Sequence, residues 1–335
     1  MRGAFQGPQP RRKPPRIEDL VNVLEFEEVA AQTLPAARLA TIAGSDRTAF
    51  DQITLRPRML IPTLDLDLSV DLFGETHIAP IFVGPIADQR RYHADGELAT
   101  VRGASAGKAA AIVSSGSSVP IAELAAQAKT PLWYSVYADG TAATQKQIQQ
   151  AVAAGCKAVC ATVGALPAGA RSTSSVDRPM ARARPIAGGD WKAVDQIRRA
   201  VSVPFLIKGV MTVEDAKRAI DQGAQGLIVS NHGAASSAVA PIEVVPSIAD
   251  ALAGKATLLV DGSFRRGSDI LKALILGAQA VLIARPVMWG LAAYGAAGVQ
   301  SVIERLQSDL GRHMGALGTP NLKALNRNFV RIHRK

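Results

Sequence analysis

The stretch FLIKGVMTVEDAKRAIDQGAQGLIVS, residues 205–230, decides the fold class. It opens on a short apolar run, Phe205–Lys208, and closes on a second, Gly226–Ser230. Between them Thr212 stands where a hydroxyl caps a helix N-terminus, Glu214 and Asp215 follow in the first turn, and Gly223 supplies the stop. Strand, capped helix and strand in so short a span predict a parallel βαβ unit. Outward from it the same rhythm recurs in Ile81–Val83, Ala110–Val113, Leu132–Tyr137, Ala158–Val163, Thr257–Asp261 and Ala280–Ala284. The starts lie roughly 20–30 residues apart, with one wider gap after the fourth. Eight such runs favour a closed (β/α)8 barrel over an open doubly wound sheet. The last helix but one, Ser268–Gly277, repeats the design, with Ser268 read as the cap.

Ahead of the barrel, residues 17–47 read as a helical extension, with Asp19 near its start and Leu20, Val23, Leu24 and Phe26 on one face. Residues 1–16, rich in Pro and Arg, read as a basic, disordered arm, so the barrel unit is expected to run over 17–335. The 335 residues are 48% hydrophobic, enough for one large core, and carry a net charge of +10. Much of the excess sits at the two ends, without the aromatic interleaving or motif of a nucleic-acid binder, so solvated tails are the reading. No apolar run reaches the ~20 residues that span a bilayer. Arg11-Arg12 is followed by no apolar stretch, which argues against export. Cys156 and Cys160 have no neighbouring ligands that would make a metal site, so a reduced, cytoplasmic protein is expected.

In such barrels the chemistry sits on the C-terminal strand ends and the loops after them. That rule picks out Gly84-Pro-Ile-Ala87, Ser114, Ser135, Tyr137, Thr162, Lys208, Ser230-Asn-His-Gly233, Asp261-Gly-Ser-Phe-Arg-Arg-Gly267 and Ala284-Arg-Pro286. The last two segments, with Gly262, Gly267, Arg265 and Arg285, lie where this fold cradles phosphate: glycines admit backbone N–H groups and arginine offers a planar fork of donors.

From about Ile17 onward the chain resembles the FMN-dependent 2-hydroxy acid oxidase/dehydrogenase family, the glycolate, lactate and mandelate enzymes. The resemblance rests on Leu55-Arg-Pro-Arg58, Lys208-Gly-Val210, Ile228-Val-Ser-Asn-His-Gly233, Asp261-Gly-Ser-Phe-Arg-Arg-Gly267 and Ala284-Arg-Pro286, in this order. It implies an FMN oxidoreductase acting on CH–OH, with electrons passing to flavin N5. His232 matches the base, Tyr137 a substrate-side tyrosine, and Lys208 the cation beside the flavin N1–C2=O edge. Ser114, Thr162 and the Gly84, Pro85, Ile86 and Ala87 backbone would flank the ring. Asp261 would hold ribityl hydroxyls, with Ser230, Gly262 and Ser263 in the same wall, and Arg265 and Arg285 the phosphate region. Arg171 aligns with a second substrate arginine. A small-molecule substrate and a homo-oligomer are implied; the electron acceptor stays open between oxygen, a quinone and a protein.

The departures cluster on the substrate side. Ala235 replaces the arginine, and Thr41 the tyrosine, that grip the substrate carboxylate in the family; Gly164 replaces the aspartate paired with the histidine. Ser135 stands in for a glutamine and Ala284 for a glycine, and the loop from Gly164 to about Asp190 is short. Three readings therefore stay open: a 2-hydroxy acid enzyme, an FMN oxidoreductase for a non-carboxylate alcohol or amine, and a flavin-binding subunit whose catalysis has decayed.

Overall fold

The computed structural model describes residues 14–44, 46–164, 190–233 and 239–333. Eight parallel strands close into a barrel: β1 (Ile81–Val83), β2 (Ala111–Ser114), β3 (Leu132–Tyr137), β4 (Val159–Thr162), β5 (Phe205–Val210), β6 (Gly226–Val229), β7 (Thr257–Asp261) and β8 (Ala280–Ile283). Closure is made by β8 against β1, with Val281 opposite Ile81 and Ile283 opposite Val83. Every expected strand is present, three with the expected bounds and the others within two residues at each end.

Side chains alternate along a strand, so one set fills the barrel and the other meets the helices. Phe82, Ile112, Trp133, Cys160, Leu206, Ile228, Leu259 and Leu282 form the inner cluster. Ile81, Val83, Val113, Val159, Ile207, Val229, Val260 and Ile283 belong to the outer one. The N-terminal mouth is plugged by a hairpin of Val70–Leu72 and Glu75–His77, whose Leu72 and Phe73 join the inner cluster and whose Phe73 packs edge-on against Trp133. That plug leaves the C-terminal mouth as the place for polar groups.

The alternation then fixes which residues face that mouth. Two positions beyond each inner-cluster residue lie Gly84, Ser114, Ser135, Thr162, Lys208, Ser230, Asp261 and Ala284, one per strand.

Outside the barrel two local expectations are revised. Residues 17–47 are no continuous helix: a 3-10 turn at Ile17–Asp19 and helices Glu25–Thr33 and Ala36–Leu39 are separated by extended backbone, including Pro35, whose missing N–H and fixed φ break the run. Leu20, Val23 and Phe26 are buried as expected, whereas Leu24 is 36% exposed. Ser268 is not a cap. The helix Gly267–Ile275 starts one residue earlier, and Asp269 accepts from the backbone N–H groups of Arg265 and Arg266 at 3.0 and 2.9 Å. The Thr212 cap stands, its hydroxyl accepting from the Asp215 N–H, and Gly223 has φ 82°. Pro15, in the stretch read as an arm, accepts a hydrogen bond from the Tyr294 hydroxyl.

Candidate active site

One cavity opens at the C-terminal mouth. It is lined by Gly84, Pro85, Ile86, Ser114, Ser135, Tyr137, Thr162, Lys208, His232, Asp261, Gly262, Ser263, Arg265, Ala284 and Arg285, all singled out from the sequence. Val136, Gly233, Phe264, Leu282 and Ile283 add to the wall, as do Thr41 and Gly164. Ser230 lies beneath the surface, and Ala87 is not in the lining. Arg171 and Ala235 fall outside the described residues.

At the floor, the Lys208 ammonium lies 2.8 Å from Asp261 Oδ2 and donates to Ser230 Oγ at 2.7 Å. Ser230 in turn donates to Asp261 Oδ2 at 2.8 Å and accepts from the His232 backbone N–H. A carboxylate and an ammonium are seldom buried unless paired, which explains why these two strand ends meet. Among the described residues, Asp261 Oδ1 is buried without a partner, and so is Arg265 Nε. Buried polar atoms are nearly always satisfied, so these two atoms in the wall suit a ligand that brings a donor and an acceptor. On neighbouring strands the hydroxyls of Ser135 and Thr162 lie 2.9 Å apart.

Arg265 and Arg285 converge on one backbone atom: both donate to the Gly44 carbonyl, at 3.0 and 2.9 Å. Arg265 also donates to the Phe264 carbonyl and lies over the Trp289 ring, 4.5 Å from its centroid. Burial, with the like charge of Arg285, pulls the Arg265 guanidinium down to about 9. Burial likewise holds Arg285 below the usual guanidinium range. Across the lining, Lys208, Arg265 and Arg285 against Asp261 leave an excess of two positive charges. Gly262, with φ 110°, and Gly233, with φ 73°, bring open backbone to the same wall. Two crowded guanidiniums beside glycine backbone suit a phosphate.

His232 is held by main chain. Its Nε2 lies 2.7 Å from the Val163 carbonyl, which can only accept, so Nε2 carries the hydrogen and the neutral ring keeps its lone pair at Nδ1. Burial and the nearby Lys208 push the imidazole below its ordinary value, although the Val163 bond opposes this. A glycine makes the contact geometrically accessible. Gly209 sits at a bulge in β5 with φ 117°, and a Cβ there would come within 2.2 Å of the Val163 oxygen and 2.9 Å of His232 Nε2. Gly164, with φ 94°, also borders the ring; a Cβ there would lie 3.3 Å from Nε2. The aspartate missing at Gly164 thus leaves the histidine oriented, but by a neutral carbonyl in place of a carboxylate.

The FMN-dependent dehydrogenase profile matches residues 35–184 and 177–332. The chain belongs to this family. Its cofactor is FMN, and it is an FMN-dependent oxidoreductase. Among similar proteins, a peroxisomal (S)-2-hydroxyacid oxidase of Arabidopsis thaliana is 33% identical over 94% of this chain and 97% of its own. A 4-hydroxymandelate oxidase of Amycolatopsis orientalis is 34% identical over 92% of this chain and 97% of its own. A crystal structure of mandelate oxidase superposes with a TM-score of 0.83 at 34% identity, covering 93% of this chain and 98% of that one.

Proposed function

We propose that this FMN-dependent dehydrogenase oxidises the CH–OH group of a small organic substrate related to the 2-hydroxy acids, with His232 as proton acceptor. What carries the reading is the cavity itself: a buried cation, a histidine whose Nδ1 has no partner among the described residues, and two guanidiniums without a carboxylate partner among them meet on one barrel mouth. The names of the relatives, oxidases of 2-hydroxy acids and of 4-hydroxymandelate, support the substrate class.

The residues present fit FMN. Arg265, Arg285, Gly262 and Gly233 would hold its phosphate, and the unpartnered Asp261 Oδ1 would accept from a ribityl hydroxyl. Lys208 would place its charge beside the ring, with Ser114, Ser135 and Thr162 offering hydroxyls and Gly84 to Ile86 lining the remaining edge. When bound, FMN supplies the acceptor for the substrate's electron pair. His232 Nδ1 takes the proton, and the Val163 carbonyl fixes the ring while it does so. Tyr137, 40% exposed at the mouth, would donate to the substrate. The protein is further proposed to be cytoplasmic and homo-oligomeric, with oxygen, a quinone or a protein as electron acceptor.

The protein should purify yellow, with one FMN per chain. Arg285→Ala removes a charged donor and should weaken FMN binding by about 1.5–3 kcal/mol, measured by titrating apoprotein with FMN. An unchanged affinity would remove Arg285 from the phosphate site.

The pH dependence follows from His232. A base must be neutral to act, and His232 is held below its ordinary value. The acidic limb of kcat/KM should therefore fall below about 6.5, with no loss of activity between about 6.5 and 7.5. The same group makes stability fall as pH drops from about 6.5 through its folded value, because the unfolded chain then binds more protons. A limb above 6.5 that disappears in His232→Gln would reverse the assignment of direction.

A further inference from the structure

Thr41 lies in the wall of the cavity that holds His232 and Tyr137. Its hydroxyl makes two contacts: 2.7 Å to the Arg38 carbonyl and 2.9 Å to the Tyr92 hydroxyl. A carbonyl only accepts, so the single Thr41 proton goes to Arg38, and the Tyr92 hydroxyl must donate to Thr41. The alternative direction would leave two oxygens 2.7 Å apart with no proton between them. Both protons of the pair are then spent within the protein. Toward the cavity Thr41 has a lone pair to offer and no hydrogen.

The arrangement is built from two distant segments. Arg38 Nη1 donates to the Arg91 carbonyl at 3.0 Å, tying the helix Ala36–Leu39 to the 3-10 turn Gln89–Arg91. Tyr92 closes that turn through its N–H to the Gln89 carbonyl and so delivers its phenol to Thr41. Neither segment is a barrel strand, yet together they set the polarity of the wall.

We propose that Thr41, locked as an acceptor by Tyr92 and Arg38, selects substrates whose substituent beside the reacting carbinol carries a proton donor. A carboxamide or a second hydroxyl fits this description. A carboxylate brings only lone pairs and would face another lone pair, which costs it a partner on leaving water. The inference rests on the functional reading above and narrows its substrate class.

The test uses FMN-loaded enzyme under anaerobic conditions, with lactate and lactamide as probes. Binding is read from the perturbation of the flavin absorption spectrum before reduction, and turnover from bleaching. Lactamide is expected to bind about tenfold more tightly than lactate. Thr41→Val should raise the Kd for lactamide about tenfold and lower that for lactate, because the opposing lone pair is gone and, Thr41 being exposed, its loss leaves no buried group unpaired. Thr41→Tyr, which restores a donor, should shift the preference toward lactate. Tighter binding of lactate by the wild-type enzyme, an unchanged ratio in Thr41→Val, or a yellow enzyme whose spectrum responds to neither probe would each overturn the proposal. A protein that takes up no FMN would overturn the functional reading itself, so the two failures are distinguishable.

Discussion

Replacing His232 by Ala should leave FMN bound and slow substrate-dependent bleaching of the flavin by about 10²–10⁴-fold, the usual worth of a positioned general base. Among the described residues the ring makes one hydrogen bond, to the Val163 carbonyl, and His232 joins the Lys208–Ser230–Asp261 group through its backbone N–H, which alanine retains. FMN content and the flavin spectrum are therefore the controls, and single-turnover reduction is the readout. His232 has φ 56°, a conformation that alanine adopts less readily, so His232→Asn is the companion variant: asparagine tolerates this backbone and supplies no comparable base. Reduction at the wild-type rate in both variants would show that the proton goes elsewhere.

Lys208→Met should destabilise the apoprotein by about 3 kcal/mol, the lower end of the cost of breaking a buried ion pair. The lower end applies because the Asp261 side chain keeps 17% of its exposure while that of Lys208 keeps 7%. For a domain of this size the loss corresponds to a fall of roughly 4 °C in Tm. The mechanism is specific: methionine fills the space but leaves the Asp261 carboxylate buried without its cation. Lys208→Met combined with Asp261→Asn should recover most of the stability, since both charges are then gone. Equal Tm values for the single variant and the wild type would mean that the pair contributes nothing to the fold. In FMN-loaded enzyme the single variant should also reduce its flavin more slowly, because the cation beside the ring is lost.

The barrel was legible because its signal is local. Each strand is a short buried run set off by a helix with its own start and stop, as at Thr212 and Gly223, and the two-residue period then carries Lys208, Asp261, Ser135 and Thr162 to the same mouth. The contacts that finish the site were not legible, because main-chain oxygens make them. The Val163 carbonyl that orients His232, 69 residues away, leaves no mark in the sequence beyond the bulge glycine Gly209. The Gly44 carbonyl shared by Arg265 and Arg285 comes from a segment 221 and 241 residues distant, read only as part of a helix. Tyr92 was passed over for the same reason: nothing nearby announces that its hydroxyl meets Thr41, 51 residues earlier. The antiparallel ribbon of Ile53–Leu55 with Val330–Ile332 was also missed, since three-residue strands are too short to show a period.

The central claim is that this cavity holds FMN and passes to it the electrons of a CH–OH substrate. Anaerobic mixing of the purified yellow protein with a panel of 2-hydroxy acids, 2-hydroxy amides, diols and amines tests it most directly, with the flavin absorbance followed in time. The account predicts bleaching by at least one carbinol in the panel, lost in His232→Asn. A colourless protein that cannot be reconstituted with FMN, or a yellow one bleached by amines alone, would contradict it.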